Sequence, residues 1–326
     1  MILVTGASGF IGRALCAELS DKNRMFRAVA RSITKLHPTA EVVSVGDIGS
    51  TTEWGGALAG ADTVIHLAGL AHVPSKLQRD NLGDYWEVNA LGTARLAKQA
   101  AAKGVSRFLY LSTAKVCGDI TQNRPFDEKD VSDSKDPYTA SKQEAEKFLR
   151  GIAMETGMEV VIIRPPLVYG PGVKANFHNM TRWLCKGIPL PLGNIDNLRS
   201  LVSLDNLLDF IYLCLNHPMA ANQTFVVSDG EDISTTELLR RMAQALRVPA
   251  RLVPVPQGLL GLGARVMGRE DLSQRLCASF QVDISKARTL LGWRPPVAME
   301  DALRRSAEYY LSSTQRPVED VRGVGR

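Results

Sequence analysis

Short apolar runs alternate with longer amphipathic stretches along the first half of the chain. The apolar runs are typical of buried strands, and the amphipathic stretches have the spacing of helices. The runs predict strands at residues 2–4, 26–30, 41–45, 62–67, 107–111 and 159–163. The stretches between them predict helices at 10–20, 82–103 and 138–156. Strands that alternate with helices predict an α/β fold with a doubly wound parallel sheet.

The pattern changes after residue 164, where prolines and glycines become frequent and the predicted elements become shorter. Helices are predicted at 205–215, 235–246, 284–291 and 299–311, with a strand at 224–227. We therefore predict a sheet domain at 1–165 and a smaller C-terminal lobe at 166–312, which is interleaved with the sheet around 200–230. Residues 313–326 are predicted to form a polar, frayed tail.

Glycine recurs at every third position directly after the first strand, as Gly6, Gly9 and Gly12 of TGASGFIG. A strand that passes through a glycine-rich turn into a helix places a pyrophosphate at the helix N-terminus. We expect Gly6 to permit the tight turn, Gly9 to let the backbone approach the phosphates, and Gly12 to let helix and strand pack closely. The sheet domain is therefore predicted to be a Rossmann-type nucleotide-binding domain.

Composition and charge exclude several classes of protein. The chain has 326 residues and a formal net charge of +5, and its basic residues are scattered singly, so neither a nucleic-acid stripe nor a polybasic membrane patch is expected. The longest apolar stretch, 256–267, is too short to span a bilayer, and the first strand leaves no room for a signal peptide. Five cysteines without a CxxC pair predict reduced thiols, no metal site and a cytoplasmic location.

A tyrosine and a lysine stand four residues apart in the segment YTASK, where Tyr138 and Lys142 would share one helix face. A tyrosine with a pKa of about 10 is a poor acid–base catalyst at neutral pH. We expect the neighbouring ammonium to lower the pKa of Tyr138 and to make proton transfer feasible. Thr113 follows strand 107–111 at its carboxyl end, and its hydroxyl could bind the oxygen whose proton Tyr138 handles; Ser112 is the alternative hydroxyl.

These segments, taken together, resemble the extended short-chain dehydrogenase/reductases over nearly the whole chain. The matching segments are TGASGFIG, Asp47-Ile48, HLAG at 66–69, VNALGT at 88–93, LSTAKVCG at 111–118, YTASK and RPPLVYGPG at 164–172. The resemblance implies that Thr113, Tyr138 and Lys142 are catalytic and that Lys142 also holds the nicotinamide ribose. It implies a set of cofactor-binding residues: Gly6, Gly9, Phe10, Ile11, Gly12, Arg31, Asp47, Ile48, Leu67, Ala68, Gly69, Asn89, Tyr138, Lys142 and Pro165. For Asn89, a helix-capping role is the alternative.

Segments of the second lobe resemble the UDP-sugar-modifying branch of that family, so the lobe is expected to bind the substrate. They are VKANF at 173–177, LRSLV at 198–202 and DISKA at 283–287. By this resemblance Asn176 and Arg199 would contact the UDP pyrophosphate, with Arg275 as a further candidate and Lys115 as a further substrate-binding residue. A planar guanidinium suits phosphate oxygens because it can donate two parallel hydrogen bonds. For the assembly of this protein, we consider a homodimer.

Two positions depart from the family pattern, and the first of them excludes one reaction of the family. Nucleotide-sugar 4,6-dehydratases carry Asp-Glu after the catalytic threonine, whereas this chain has Ala114 and Lys115, which cannot perform that elimination. Cys117 replaces the tyrosine of the usual VYG segment, and a buried cysteine is usually inert packing.

The expected activity is oxidoreduction at C4 of a UDP-hexose. The second predicted strand ends Ala-Arg31-Ser without an acidic residue, which favours NADP(H) over NAD(H), with NAD the alternative cofactor. NADP(H) in turn favours net reduction of a UDP-4-keto-6-deoxy-N-acetylhexosamine for surface-polysaccharide synthesis. A UDP-sugar 4-epimerase is the alternative enzyme. A non-catalytic nucleotide sensor is the alternative of another class, because fold alone does not fix function.

Overall fold

The computed structural model describes residues 1–31, 40–71, 82–266 and 276–315. Seven parallel strands form its main sheet: β1 (Ile2–Thr5), β2 (Phe26–Ala30), β3 (Glu41–Ser44), β4 (Thr63–His66), β5 (Arg107–Leu111), β6 (Glu159–Arg164) and β9 (Thr224–Val226). Their order across the sheet is β3-β2-β1-β4-β5-β6-β9. The predicted α/β fold with a doubly wound parallel sheet is confirmed.

Helices cover both faces of the main sheet, because parallel strands need crossover connections that lie over the sheet. Helices α1 (Phe10–Asp21) and α6 (Leu204–Asn216) pack on one face, in a core that includes Leu15 and Leu207. Helices α3 (Gly92–Ala102) and α4 (Pro137–Thr156) pack on the other, in a core that includes Leu96 and Leu149.

The helix predicted at 82–103 is interrupted, and this is a correction. The structure has a short α2 (Leu82–Tyr85), then a π-helical segment (Trp86–Leu91), and only then α3. The side chains of the π-helical segment bind two loops: Glu87 accepts hydrogen bonds from the backbone and hydroxyl of Ser50, and Asn89 bonds to the backbone of Leu70. Such π-helical segments are frequent at functional sites.

The second lobe contains elements that the sequence pattern did not reveal. A small sheet joins β7 (Leu167–Tyr169), β8 (Arg199–Ser203) and β10 (Asp232–Ile233), in the order β10-β8-β7. The helices of this part are α5 (Ala175–Cys185), α7 (Thr235–Leu246), α8 (Gln257–Val266), α9 (Ser285–Leu291) and α10 (Met299–Gln315). Between β8 and β10 the chain returns to the main sheet as β9, which pairs with β6. The predicted tail at 313–326 lies mostly outside the described residues.

Candidate active site

The glycine-rich turn forms a cradle at the carboxyl end of β1. Gly6 has a φ of +68°, which favours glycine, and a Cβ added there would lie 2.6 Å from the backbone nitrogen of Ala68. A Cβ on Gly12 would lie 2.1 Å from the carbonyl oxygen of Gly6. Gly9 caps α1 by its backbone alone, while Phe10 and Ile11 are partly buried against the core. The cradle therefore fits a dinucleotide pyrophosphate at the start of α1, as its spacing predicts.

The ends of β2 and β3 lie beside this cradle. Arg31 is exposed directly after β2, and its carbonyl accepts a hydrogen bond from Ser44 at 2.8 Å. Asp47 is exposed in the loop after β3, whereas Ile48 packs against the core. A Cβ on Gly92 would lie 2.7 Å from the Ile48 side chain, so the loop is held tightly against α3.

The segment after β4 connects the cradle to the π-helical segment. Leu67 and Ala68 are partly buried, and the exposed Gly69 lies where an added Cβ would be 3.1 Å from Asn89 Oδ1 and 3.2 Å from Lys142 Nζ. The buried Asn89 also donates to Ser141 Oγ at 3.0 Å. Asn89 thus links this segment to α4, and the helix-capping alternative is not what its side chain does here.

A buried histidine joins the same elements, although no sequence pattern predicts a role for its side chain. Thr5 Oγ1 lies 2.6 Å from His66 Nδ1, and His66 Nε2 lies 2.9 Å from Thr93 Oγ1. Thr93 donates to the carbonyl of Asn89, so its oxygen must accept from Nε2–H of His66. Burial, with a smaller effect of Lys142, lowers the pKa of His66 to about 3, so the imidazole is neutral.

The predicted catalytic side chains meet at the carboxyl end of β5. Lys142 is buried, donates to the carbonyl of Leu111 at 2.9 Å, and lies 4.7 Å from the centre of the Tyr110 ring. Thr113, extended in backbone conformation, begins a short 3-10 helix at Ala114–Val116 and interacts with the phenol of Tyr138. The structure therefore brings Thr113, Tyr138 and Lys142 together, whereas Ser112 is bound elsewhere, to Glu146.

The expected effect of Lys142 on Tyr138 is wrong for this structure. Burial raises the pKa of Tyr138 to about 12, and the interaction with Thr113 opposes that rise only in part. Burial also lowers the pKa of Lys142 to about 8. Desolvation disfavours the charged form of each group, and the lysine amine is directed to Leu111 rather than to the phenol. The phenol is therefore protonated at neutral pH.

The predicted substrate residues are spread over the mouth of the site and the second lobe. Lys115 is exposed, and its backbone nitrogen donates to Thr113 Oγ1 at 3.3 Å. Asn176 is exposed in the first turn of α5, and Arg199 on β8 donates to the carbonyl of Ala278 at 3.3 Å. Burial lowers the pKa of Arg199. Arg275 lies outside the described residues.

Two further sequence-predicted positions have structural contacts. Pro165 is buried after β6, and its carbonyl accepts a hydrogen bond from Ala114. Cys117 is buried with a pKa raised by burial to about 11, which agrees with an inert thiol.

In the described ranges, no three His, Cys, Asp or Glu side chains form a group that could hold a metal ion. No helix within these ranges has both the length and the apolar character needed to cross a membrane.

Comparison with known proteins identifies the family. Residues 2–228 match the model of the NAD dependent epimerase/dehydratase family. A protein of Vibrio cholerae named UDP-glucose 4-epimerase is 43% identical over 319 residues, 97% of each chain. Two solved structures share the fold: UDP-glucuronic acid 4-epimerase from Bacillus cereus in complex with NAD, and UDP-glucose 4-epimerase from Thermotoga maritima with UDP-glucose. They have TM-scores of 0.78 and 0.77 and identities of 20% and 21%, and each comparison covers 96% of this chain and 99% of the other. The chain belongs to the NAD dependent epimerase/dehydratase family, a branch of the extended short-chain dehydrogenase/reductases.

Proposed function

We propose that this protein is an NAD(P)-dependent oxidoreductase that acts at C4 of a UDP-linked hexose. The observation that carries the proposal is the convergence of Thr113, Tyr138 and Lys142 beside the glycine cradle. An acid–base group, a hydroxyl donor and an ammonium are the groups needed to handle an alcohol or ketone oxygen. The family membership and the UDP-sugar names of its relatives support the same substrate class.

The side chains have separable roles in this proposal. Bound nicotinamide supplies the hydride chemistry, and the protein supplies position and proton transfer. Tyr138 gives a proton to the C4 oxygen in reduction or takes it in oxidation, and Thr113 donates a hydrogen bond to that oxygen. Lys142 orients the nicotinamide ribose by its ammonium. Asn176, Arg199 and Lys115 bind the UDP part of the substrate.

Within this class, we propose net reduction of a 4-keto sugar with NADPH. Arg31 follows β2 with an exposed side chain, where an arginine suits the 2′-phosphate of NADP(H). A reductase exchanges its cofactor at every turnover, so a reduced NADPH pool suits it.

A 4-epimerase is the second candidate, favoured by the name of the Vibrio cholerae relative at 43% identity. Epimerisation would use the same side chains, but the hydride would leave C4 and return to its other face, with no net use of cofactor. The complete set of Thr113, Tyr138 and Lys142 counts against a non-catalytic sensor, which has no need of the proton donor.

The deciding experiment supplies a UDP-4-keto-6-deoxy-N-acetylhexosamine with NADPH and follows both compounds. One NADPH oxidised per sugar reduced is the expected result. Inertness towards the ketone, together with interconversion of UDP-N-acetylglucosamine and UDP-N-acetylgalactosamine on tightly held cofactor, would assign the protein as an epimerase. Inertness towards both, in a protein that still binds the dinucleotide, would favour the sensor.

A further inference from the structure

A buried acidic residue, Glu146, lies one helical turn beyond Lys142 on the same face of α4, and the proposed chemistry does not use it. Its side chain is 1% exposed and is paired with Arg164, which is 3% exposed. Burying two charges is costly unless their hydrogen bonds are satisfied, so a pair in this position needs an explanation. Its neighbours suggest one, because they belong to the catalytic centre.

The Glu146 carboxylate accepts four hydrogen bonds. Oε1 accepts from Ser112 Oγ at 2.6 Å and from Arg164 Nε at 2.9 Å. Oε2 accepts from Arg164 Nη2 at 2.6 Å and from Arg150 Nη2 at 2.8 Å. The bond from Ser112 is the important one, because Ser112 lies between Leu111, which binds Lys142, and the catalytic candidate Thr113. Glu146 therefore connects α4 to the end of β5 through Ser112, next to the connection that Lys142 makes through Leu111.

Arg164 extends this connection to the segment that leads into α4. Its Nη1 donates to the carbonyls of Glu128 at 3.1 Å and Asp130 at 3.4 Å, and lies 3.4 Å from the sulfur of Cys117. Because Arg164 ends β6, the pair connects β6, β5, α4 and this segment in one buried network.

Glu146 also supplies negative charge near the Lys142 amine. Among the residues that the structure describes, the other titratable groups that face Lys142 are neutral: burial lowers the pKa of His66 on β4 and raises the pKa of Tyr110 on β5 and of Tyr138 on α4. Burial lowers the pKa of Lys142 to about 8, and the charge of Glu146 opposes that change.

We propose that Glu146 is a positioning residue that keeps Lys142 in its ammonium form and fixes Thr113 relative to α4 through Ser112. The inference rests on the proposed function in so far as Thr113 and Lys142 are catalytic. The electrostatic part can be tested without any sugar substrate.

The first test is the titration of Lys142, followed by the ¹³Cε resonance of labelled lysine and assigned with Lys142→Arg. Glu146→Gln should shift this titration to lower pH by about one unit, the size expected for loss of a nearby opposite charge. Glu144→Gln is the matched control, because Glu144 lies two positions from Lys142 on a different part of the helix surface and pairs with Lys147. The control should leave the titration unchanged.

The second test is kinetic. At pH 8 a shift of one unit from about 8 lowers the protonated fraction about fivefold, so Glu146→Gln should lose about fivefold in cofactor-dependent turnover there and less at pH 6.5. Ser112→Ala should leave the Lys142 titration in place and lower kcat by about tenfold without raising the KM for cofactor, because only the position of Thr113 is disturbed. A merely structural role would lower thermal stability and leave both readouts of the folded protein unchanged.

Glu146→Gln leaves the Arg164 guanidinium buried without its anionic partner, and the single variant could fail to fold for that reason. In that case we would use the double variant Glu146→Gln with Arg164→Gln, in which both charges are removed. Its lysine titration should still move to lower pH, by less than in the single variant, because a cation is removed together with the anion. An unmoved titration in a folded Glu146 variant, or unchanged kcat in Ser112→Ala, would overturn the proposal. A shifted titration in a protein that turns over no UDP-sugar would instead contradict only the proposed function.

Discussion

Ser112 donates its hydroxyl to the buried carboxylate of Glu146 at 2.6 Å. This contact gives Ser112 a different partner from that of Thr113, the adjacent hydroxyl residue at the end of β5. Successive side chains of an extended segment point to opposite sides. Ser112 therefore turns inward to Glu146, while Thr113 is partly exposed and interacts with Tyr138. This relationship supports Thr113, rather than Ser112, as the hydroxyl that meets the substrate oxygen.

Replacing Tyr138 by phenylalanine should remove most turnover and leave cofactor binding nearly intact, because only the proton donor is lost. The expected loss in kcat is roughly 10²–10⁴-fold, the usual contribution of general acid–base catalysis. Steady-state kinetics and a cofactor dissociation constant measure the two effects. Thr113→Val should also lower the rate, by removing a hydrogen bond to the substrate oxygen. Near-full activity in the phenylalanine variant would refute the assignment.

Arg31→Ala should weaken binding of NADPH by about tenfold or more and leave NADH binding unchanged, since a hydrogen bond to a charged group contributes about 1.5–3 kcal/mol. Fluorescence titration of both cofactors gives the dissociation constants. Arg24→Ala is the control, because Arg24 precedes β2 and lies at the amino end of that strand, whereas Arg31 follows its carboxyl end. A wild-type preference for NADH would contradict the proposed NADP specificity.

The protein should not form a 4-keto-6-deoxy sugar from UDP-N-acetylglucosamine. Such a 4,6-elimination needs acid–base groups after the catalytic threonine, but Ala114 is fully buried in the core and Lys115 is not a carboxylate. Incubation with the substrate and oxidised cofactor, followed by mass spectrometry, checks this. Detection of the dehydrated product would show that other side chains perform the elimination.

Acid should destabilise the protein through His66. Its pKa is about 3 in the folded state against an ordinary 6.5, so the unfolded chain binds the extra proton between these values and stability is lost as pH falls from 6.5 towards 3. Between pH 7 and pH 4 this group should remove about 3 kcal/mol of the free energy of unfolding. Urea denaturation of the wild type and of His66→Gln at both pH values isolates the effect. Equal acid sensitivity of the two proteins would refute it.

The sequence by itself determined the features that depend on local spacing. Glycine at every third position after β1 predicted the cradle, because only a residue without Cβ fits at Gly6 and Gly12. The period of the helix placed Tyr138 and Lys142 on one face of α4, and apolar runs predicted most of the parallel strands. The resemblance to a family rested on the same short segments.

Only the tertiary structure decided what depends on residues far apart in the chain. The π-helical segment forms where Glu87 and Asn89 bind loops that precede it by 19 to 37 positions, a contact that no local pattern encodes. The small sheet pairs β8 with β7 and β10, strands too short to show a period. Burial, which the sequence does not give residue by residue, raised the pKa of Tyr138 where proximity to lysine predicted a fall. Folding of the whole chain also brought Glu146 of α4 and Arg164 of β6 together. A buried charge is stable only beside a partner, and here each partner lies on a different element of the fold.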